Sequence, residues 1–401
     1  MSGREFLYQS WRNIKFILLF AHIIVPLQVY MKQIEEENIQ SQAISFLRFP
    51  LIVAVVLIHS VGKPPLREVA FSWSVDGPML WHHLFRYIVV DLLCRCAVPG
   101  FFILSGYLFF YRTNQWNKQV YIGKLKKRIR TLLIPYLLWN LLGAAYIFYK
   151  GELGGIGDFL RCFYDYYPGK GVNLWPADIP LWYVRDLMLM ALCTPLIHIL
   201  IRRLRHWYLL ILFVCFIIPD VPEIKGMCYS SLFFFSLGAY FSINGQNLFL
   251  GICRYRHAVF TATTSLLLLV LYFKFGRGTN VTWIYDAYIA LSTFLVLIIA
   301  YWLVKRGTAK PTAWLCQRVF FIFAFHNLRF VGNAFNQKAD YISALAEGNP
   351  LVATSSFLLC AAGKIILALL VYELLRRAMP RLLELLDGRK QPESSPSIPA
   401  S

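Results

Sequence analysis

The chain has 401 residues, 58% of them hydrophobic and only 15% charged, with a net charge of +19 and a mean hydropathy of +0.54. Such apolar content, arranged in repeated long runs, excludes a pair of soluble domains in favour of one polytopic membrane domain. The runs are continuously apolar rather than alternating, so helices rather than a membrane β-barrel are expected: an all-α polytopic bundle of about ten transmembrane helices.

Residues 1–42 contain an apolar but short stretch, Ile14 to Tyr30, interrupted by His22, Pro26 and Gln28 and lacking a small-residue cleavage site. They read as a dispensable N-terminal extension, an extra or interfacial helix ahead of a membrane domain at 43–375. Ten spans follow, at 43–61, 88–110, 131–149, 181–201, 207–219, 228–243, 257–275, 283–304, 314–332 and 351–375. The connections after the even-numbered spans, with the tail, hold twenty Lys and Arg; the opposite connections hold nine. The positive-inside rule therefore puts the start of the first span and the C-terminus in the cytoplasm. The basic excess is a topology signal, and no nucleic-acid partner is expected. The nine cysteines show no zinc-type pairing, since Cys94-Arg-Cys96 is too tight, and read as small buried hydrophobes; no metal is expected.

Within the first span, Ser45 to Ser60, stand Arg48 and His59. Ionisable residues inside a span are costly and are usually functional. Eleven residues at about 100° each bring the two within about 20° of one helix face, roughly 16 Å apart along the axis. His59 suits general-base work near neutral pH, and Arg48 suits pairing with a phosphate or carboxylate. The second span carries Asp91 and Arg95, four apart, and then Pro99-Gly100 and Ser105-Gly106, which permit kinking and close helix approach. The connection 150–180 mixes carboxylates with aromatics, among them Tyr167 and Trp175, a composition that suits either a carbohydrate acceptor or an interfacial aromatic belt. Residues 376–388 read as a basic amphipathic helix on the inner leaflet, and 389–401 as a disordered tail.

Arg95-x-Ala-Val-Pro99 followed by Phe101-Phe-Ile-Leu-Ser105-Gly-Tyr-Leu resembles the second-span signature of the membrane acyltransferase 3 family, and Arg48, ten residues and His59 resemble its first-span pattern. Lys126-Lys-Arg128-Ile-Arg-Thr-Leu-Leu-Ile-Pro135 is similar to the basic loop leading into the third span. Leu181-Trp182-Tyr-Val-Arg185-Asp186 is similar to the start of the fourth, and Phe320 to His326-Asn327 to a late-span motif ending in histidine. The ordered set covers residues 43 to about 375. Gly100 departs from the family, where a larger apolar residue is usual, and so does the N-terminal extension.

The resemblance implies transfer of an acyl group, acetyl by default, from acyl-CoA to a hydroxyl of a cell-envelope carbohydrate or glycolipid, in a bacterial-type cytoplasmic membrane. It makes His59 the base and Arg48 its functional partner. Arg95, Ser105, His326 and Asp186 become further catalytic candidates. Arg48, Lys126 and Arg128 become candidates for the CoA phosphates, and Trp182, Tyr167 and Trp175 for the acceptor. The competing expectation is a flippase-like carrier of lipid-linked sugars, with Arg48, His59, Arg95, Asp186 and His326 along its path.

Overall fold

In a computed structural model the structure describes residues 3–60, 77–113, 115–165, 175–218, 221, 228–346 and 348–389, with side chains from 31 onward except that of Pro78. The described residues contain no strand. In chain order the helices that matter here are α1 (Gly3–Ile58), α2 (Leu80–Phe110), α3 (Lys118–Tyr149), α4 (Ile179–Leu204), α5 (His206–Ile217), α6 (Tyr229–Ile243), α7 (Arg256–Gly276), α8 (Thr282–Lys305), α9 (Ala313–Phe325), α10 (Arg329–Leu345), α11 (Pro350–Ala378) and α12 (Pro380–Asp387). Seven of these, α1 to α4, α7, α8 and α11, are long and apolar enough to cross a membrane; α5, α6 and α9 are shorter apolar helices in the positions of the remaining expected spans. The protein is an all-α polytopic membrane protein.

α2 is the most enclosed span and α7 the least, with 61% and 22% of their apolar windows buried. The bundle is therefore arranged around α2, and two local features of α2 decide how. Pro99 cannot donate to the Arg95 carbonyl and its ring crowds that turn. Just ahead of it the chain departs from α geometry, with wide π turns at Tyr87–Leu93 and a tight 3-10 turn at Cys94–Cys96. Carbonyls freed this way inside a membrane must find other donors. The Tyr285 hydroxyl of α8 donates to Asp91 O (2.6 Å) and that of Tyr288 to Leu92 O (3.0 Å). Further along, a Cβ on Gly106 would stand 1.9 Å from Phe235 O, and one on Gly238 1.9 Å from Ile103 O. The two glycines let α2 and α6 touch backbone to backbone, the role small residues play between membrane helices.

Near its middle α1 joins the bundle through residues placed in the extension by the sequence reading. Gln40 is buried, donating to Tyr107 OH (2.8 Å) and accepting from Leu248 N (2.9 Å). Glu36 accepts from Tyr301 OH and from Lys305 Nζ (3.0 Å), and Glu37 pairs with Arg112 (3.1 Å). At the other end of the chain α12 is strongly amphipathic, as expected, but its apolar face is turned onto the bundle. Leu383 and Leu386 are buried, Trp139 Nε1 donates to Leu386 O (2.9 Å), and Gly388, at φ +68°, closes on Thr131 O.

Candidate active site

α9 stops at Phe325 and α10 starts at Arg329, so one path through the bundle is broken at His326, Asn327 and Leu328. A helix ending inside a bundle leaves carbonyls without donors. The His326 ring supplies one: Nδ1 lies 2.7 Å from Phe323 O and 3.1 Å from Ile322 O. Two carbonyl acceptors at Nδ1 require Nδ1 to carry the proton, so in the neutral ring Nε2 is a bare acceptor. That Nε2 is buried with no hydrogen-bond partner among the described residues. The ring next to it is His59, at the end of α1, with centroids 5.3 Å apart and planes inclined by 55°. The two histidines lie 267 positions apart in sequence and meet as a pair.

His59 opens on a cavity of about 470 Å³, with Arg95, Pro99, Trp175, Trp182 and Asp286 also on its wall. Arg95 donates one Nη to Asp91 (3.3 Å), while its Nε is buried without a partner among the described residues. The two tryptophan rings stand edge to face, 5.8 Å apart, a wall with which the faces of a sugar ring can stack. A histidine next to a second histidine, an unused cationic donor and an aromatic wall are groups of the kind that attack by a hydroxyl on a carbonyl carbon can use.

The other expected site residues lie elsewhere. Arg48, half-buried on α1, is not on the cavity wall; it makes no hydrogen bond or ion pair among the described residues, with Arg389 and Cys316 its electrostatic neighbours. Ser105 is paired with Tyr183, Oγ to OH 2.9 Å. Arg128 is half-buried over the Phe109 ring (5.5 Å) with Tyr183 as a charge neighbour, whereas Lys126 is exposed. Asp186 is fully buried and its carboxylate is already used: Arg185 reaches Oδ1 (2.9 Å), and Ser231 (2.9 Å) and Cys228 (3.0 Å) reach Oδ2. It ties α4 to α6, and both of its carboxylate oxygens are engaged there, away from the cavity wall. His326, fully buried and with its proton on Nδ1, lies next to His59 and is not on the cavity wall. Tyr167 lies outside the described residues.

Sequence reading passed over Tyr183 and Asp286, which carried no signal, and Lys364, which did. A lone lysine in the apolar run 351–375 meets the same criterion that drew attention to Arg48.

A family model described as an acyltransferase domain, Acyl_transf_3, matches residues 41–370. The chain is also similar to the succinoglycan biosynthesis protein ExoH of Rhizobium meliloti (strain 1021), at 30% identity over 220 residues, covering 52% of this chain and 55% of that protein. The chain thus spans about half the length of this curated relative. No solved structure matches it.

Proposed function

The chain belongs to the Acyl_transf_3 family of acyltransferase domains, and from that premise we propose that it moves an acyl group, acetyl by default, from acyl-CoA to a hydroxyl of a cell-envelope carbohydrate or glycolipid. The observation that carries this reading is His59 on the wall of the cavity, with the buried His326 ring next to it and with Arg95, its Nε unused, on the same wall. His59 takes the proton of the acceptor hydroxyl as its oxygen attacks the thioester carbonyl. His326 Nε2, which has no hydrogen-bond partner among the described residues, is an acceptor beside the His59 ring; a turn of either ring that brings it within reach of the far nitrogen of His59 holds the tautomer in which the other His59 nitrogen is free. Arg95 Nε donates to the oxyanion of the tetrahedral intermediate. Collapse expels the CoA thiolate, which takes the proton back from His59. Atoms balance with one ester formed and one thiol released.

The donor's phosphates bind at the Arg48 end of the bundle, where Arg48 and its neighbour Arg389 offer guanidinium groups suited to them, and Arg128, over the Phe109 ring, is a further candidate. About 16 Å along α1 separates this end from His59, a length the extended pantetheine arm spans. On this reading the protein lies in a bacterial-type inner membrane with the Arg48 end and the C-terminus in the cytoplasm, an orientation that the Lys and Arg excess on that side supports. Trp175 and Trp182 form the acceptor wall, and the similarity to a protein of succinoglycan biosynthesis favours a glycan there. A broken helix with a buried polar residue at the break is also how carriers are built, and this observation keeps the lipid-linked sugar carrier as the second reading. Purified wild type incubated with radiolabelled acetyl-CoA or succinyl-CoA and envelope glycan separates the two. Label on the glycan, abolished by His59→Ala, is the expected outcome; transfer undiminished in His59→Ala refutes the base, and no transfer by wild type favours the carrier.

A further inference from the structure

Lys364, in the middle of α11, is fully buried. No carboxylate pairs with it among the described residues. Its Nζ instead donates to two neutral oxygens, the backbone carbonyl of His59 (2.8 Å) and Asn336 Oδ1 (2.9 Å). Asn336, on α10, also donates its Nδ2 to the same His59 carbonyl (3.3 Å), and Cys360, one turn before Lys364, donates to Asn336 Oδ1 (3.4 Å). The last turn of α1 is otherwise satisfied from within: His59 N reaches Val55 O (3.2 Å), Ser60 N reaches Leu57 O (3.1 Å) and Ser60 Oγ reaches Val56 O (2.8 Å). Among the described residues the His59 carbonyl is held from outside the helix, by a cation placed where the helix dipole favours positive charge.

A neutral donor would cap this carbonyl at lower cost, because burying an ammonium without a counter-ion is unfavourable. The arrangement gains a fixed distance in return. α10, which brings Asn336, starts three residues after His326, and α11, which brings Lys364, packs against both α9 and α10. The elements that carry or brace His326 therefore also grip the residue opposite it.

We propose that Lys364, acting with Asn336, is a positioning residue that holds the His59 imidazole against His326 through the His59 backbone carbonyl. It touches neither donor nor acceptor, and the inference rests on the catalytic reading of His59 given above. The test uses full-length protein in nanodiscs, with CoA release followed from acetyl-CoA or succinyl-CoA in the presence of envelope glycan. Lys364→Met keeps the volume and loses the donor; Asn336→Leu is the milder change at a half-buried site and decides the question alone where Lys364→Met does not fold. Each is expected to lower kcat by about 10- to 100-fold, the effect of an ångström-scale misplacement. KM for acyl-CoA stays within about twofold, because the donor's binding groups lie elsewhere. The double variant falls by less than the product of the two, since both act on one carbonyl. Wild-type kcat in both variants beside an inactive His59→Ala overturns the proposal while leaving the catalytic reading intact. A fall in kcat matched by a rise in KM overturns it too, since that marks general loosening. An active His59→Ala removes the catalytic reading and the proposal with it.

Discussion

On the proposed mechanism His326 has two tasks for two ring atoms, and amide substitutions separate them. Its Nδ1–H closes the end of α9 on Phe323 O, while Nε2 is left without a hydrogen-bond partner among the described residues in a ring that lies next to His59. An asparagine amide places its nitrogen near the position of Nδ1 and has nothing at Nε2; a glutamine places its amide near Nε2 and loses the Nδ1 donor. In His326→Asn the cap persists, and the stability cost is the lost ring volume, about 1–2 kcal/mol. In His326→Ala the cap is lost as well. Leaving a buried carbonyl without a donor adds about 1–3 kcal/mol, for a total near 2–5 kcal/mol. If Nε2 holds the His59 tautomer, activity separates from stability. His326→Asn loses about 10²- to 10³-fold in kcat while staying folded, and His326→Gln keeps more activity on a weaker fold. Thermal unfolding in nanodiscs together with CoA-release kinetics measures both quantities. Full activity in a folded His326→Asn would refute the role of Nε2, and equal stability of His326→Ala and wild type would refute the cap.

Asp387 closes α12 outside the spans, and burial pushes its carboxyl up to about 7, with Arg389 and Arg318 opposing. A carboxyl whose folded pKa exceeds its unfolded value stabilises the docked helix below about pH 4 and loses that contribution as pH rises toward 7. Hydrogen exchange across 380–389, corrected for intrinsic rate, is expected to be faster at pH 8 than at pH 5.5, with the difference absent in Asp387→Asn. Gly106→Ala pushes a methyl group into Phe235 O and is expected to cost on the order of 1–3 kcal/mol, read as a lower thermal midpoint; an unchanged midpoint contradicts the α2–α6 contact. We expect deletion of residues 1–30 to leave the midpoint unchanged. Deletion of 1–42 strands Tyr107 OH and Leu248 N and lowers it, the loss being roughly 1–3 kcal/mol per buried unpaired group. Equal effects of the two deletions would contradict that boundary.

How legible the chain is depends on whether a feature is local. The ten apolar stretches, the cost of Arg48 and His59 in a span, and the departure from α geometry ahead of Pro99 follow from hydropathy, ionisation and the missing proline N–H, all properties of short segments. The pairing of His59 with His326 does not, because no local rule brings residues 267 positions apart together. The same limit governs Asp186. In sequence it is an acid beside a tryptophan motif, and only the fold shows that Arg185, Ser231 and Cys228 use up its oxygens. α12 was legible as amphipathic but not as docked, because an apolar stripe suits a lipid surface and a protein groove alike. Lys364 was legible by the rule applied to Arg48, and was missed because no family motif lay beside it.

The most direct test of the account is the acyl load of envelope glycan from cells lacking this protein, complemented with wild type or with His59→Ala and measured by mass spectrometry. The account predicts an acyl-sized mass increment on the glycan with wild type, and none with a His59→Ala protein that is inserted and folded to the same level. The same increment in both strains would contradict it.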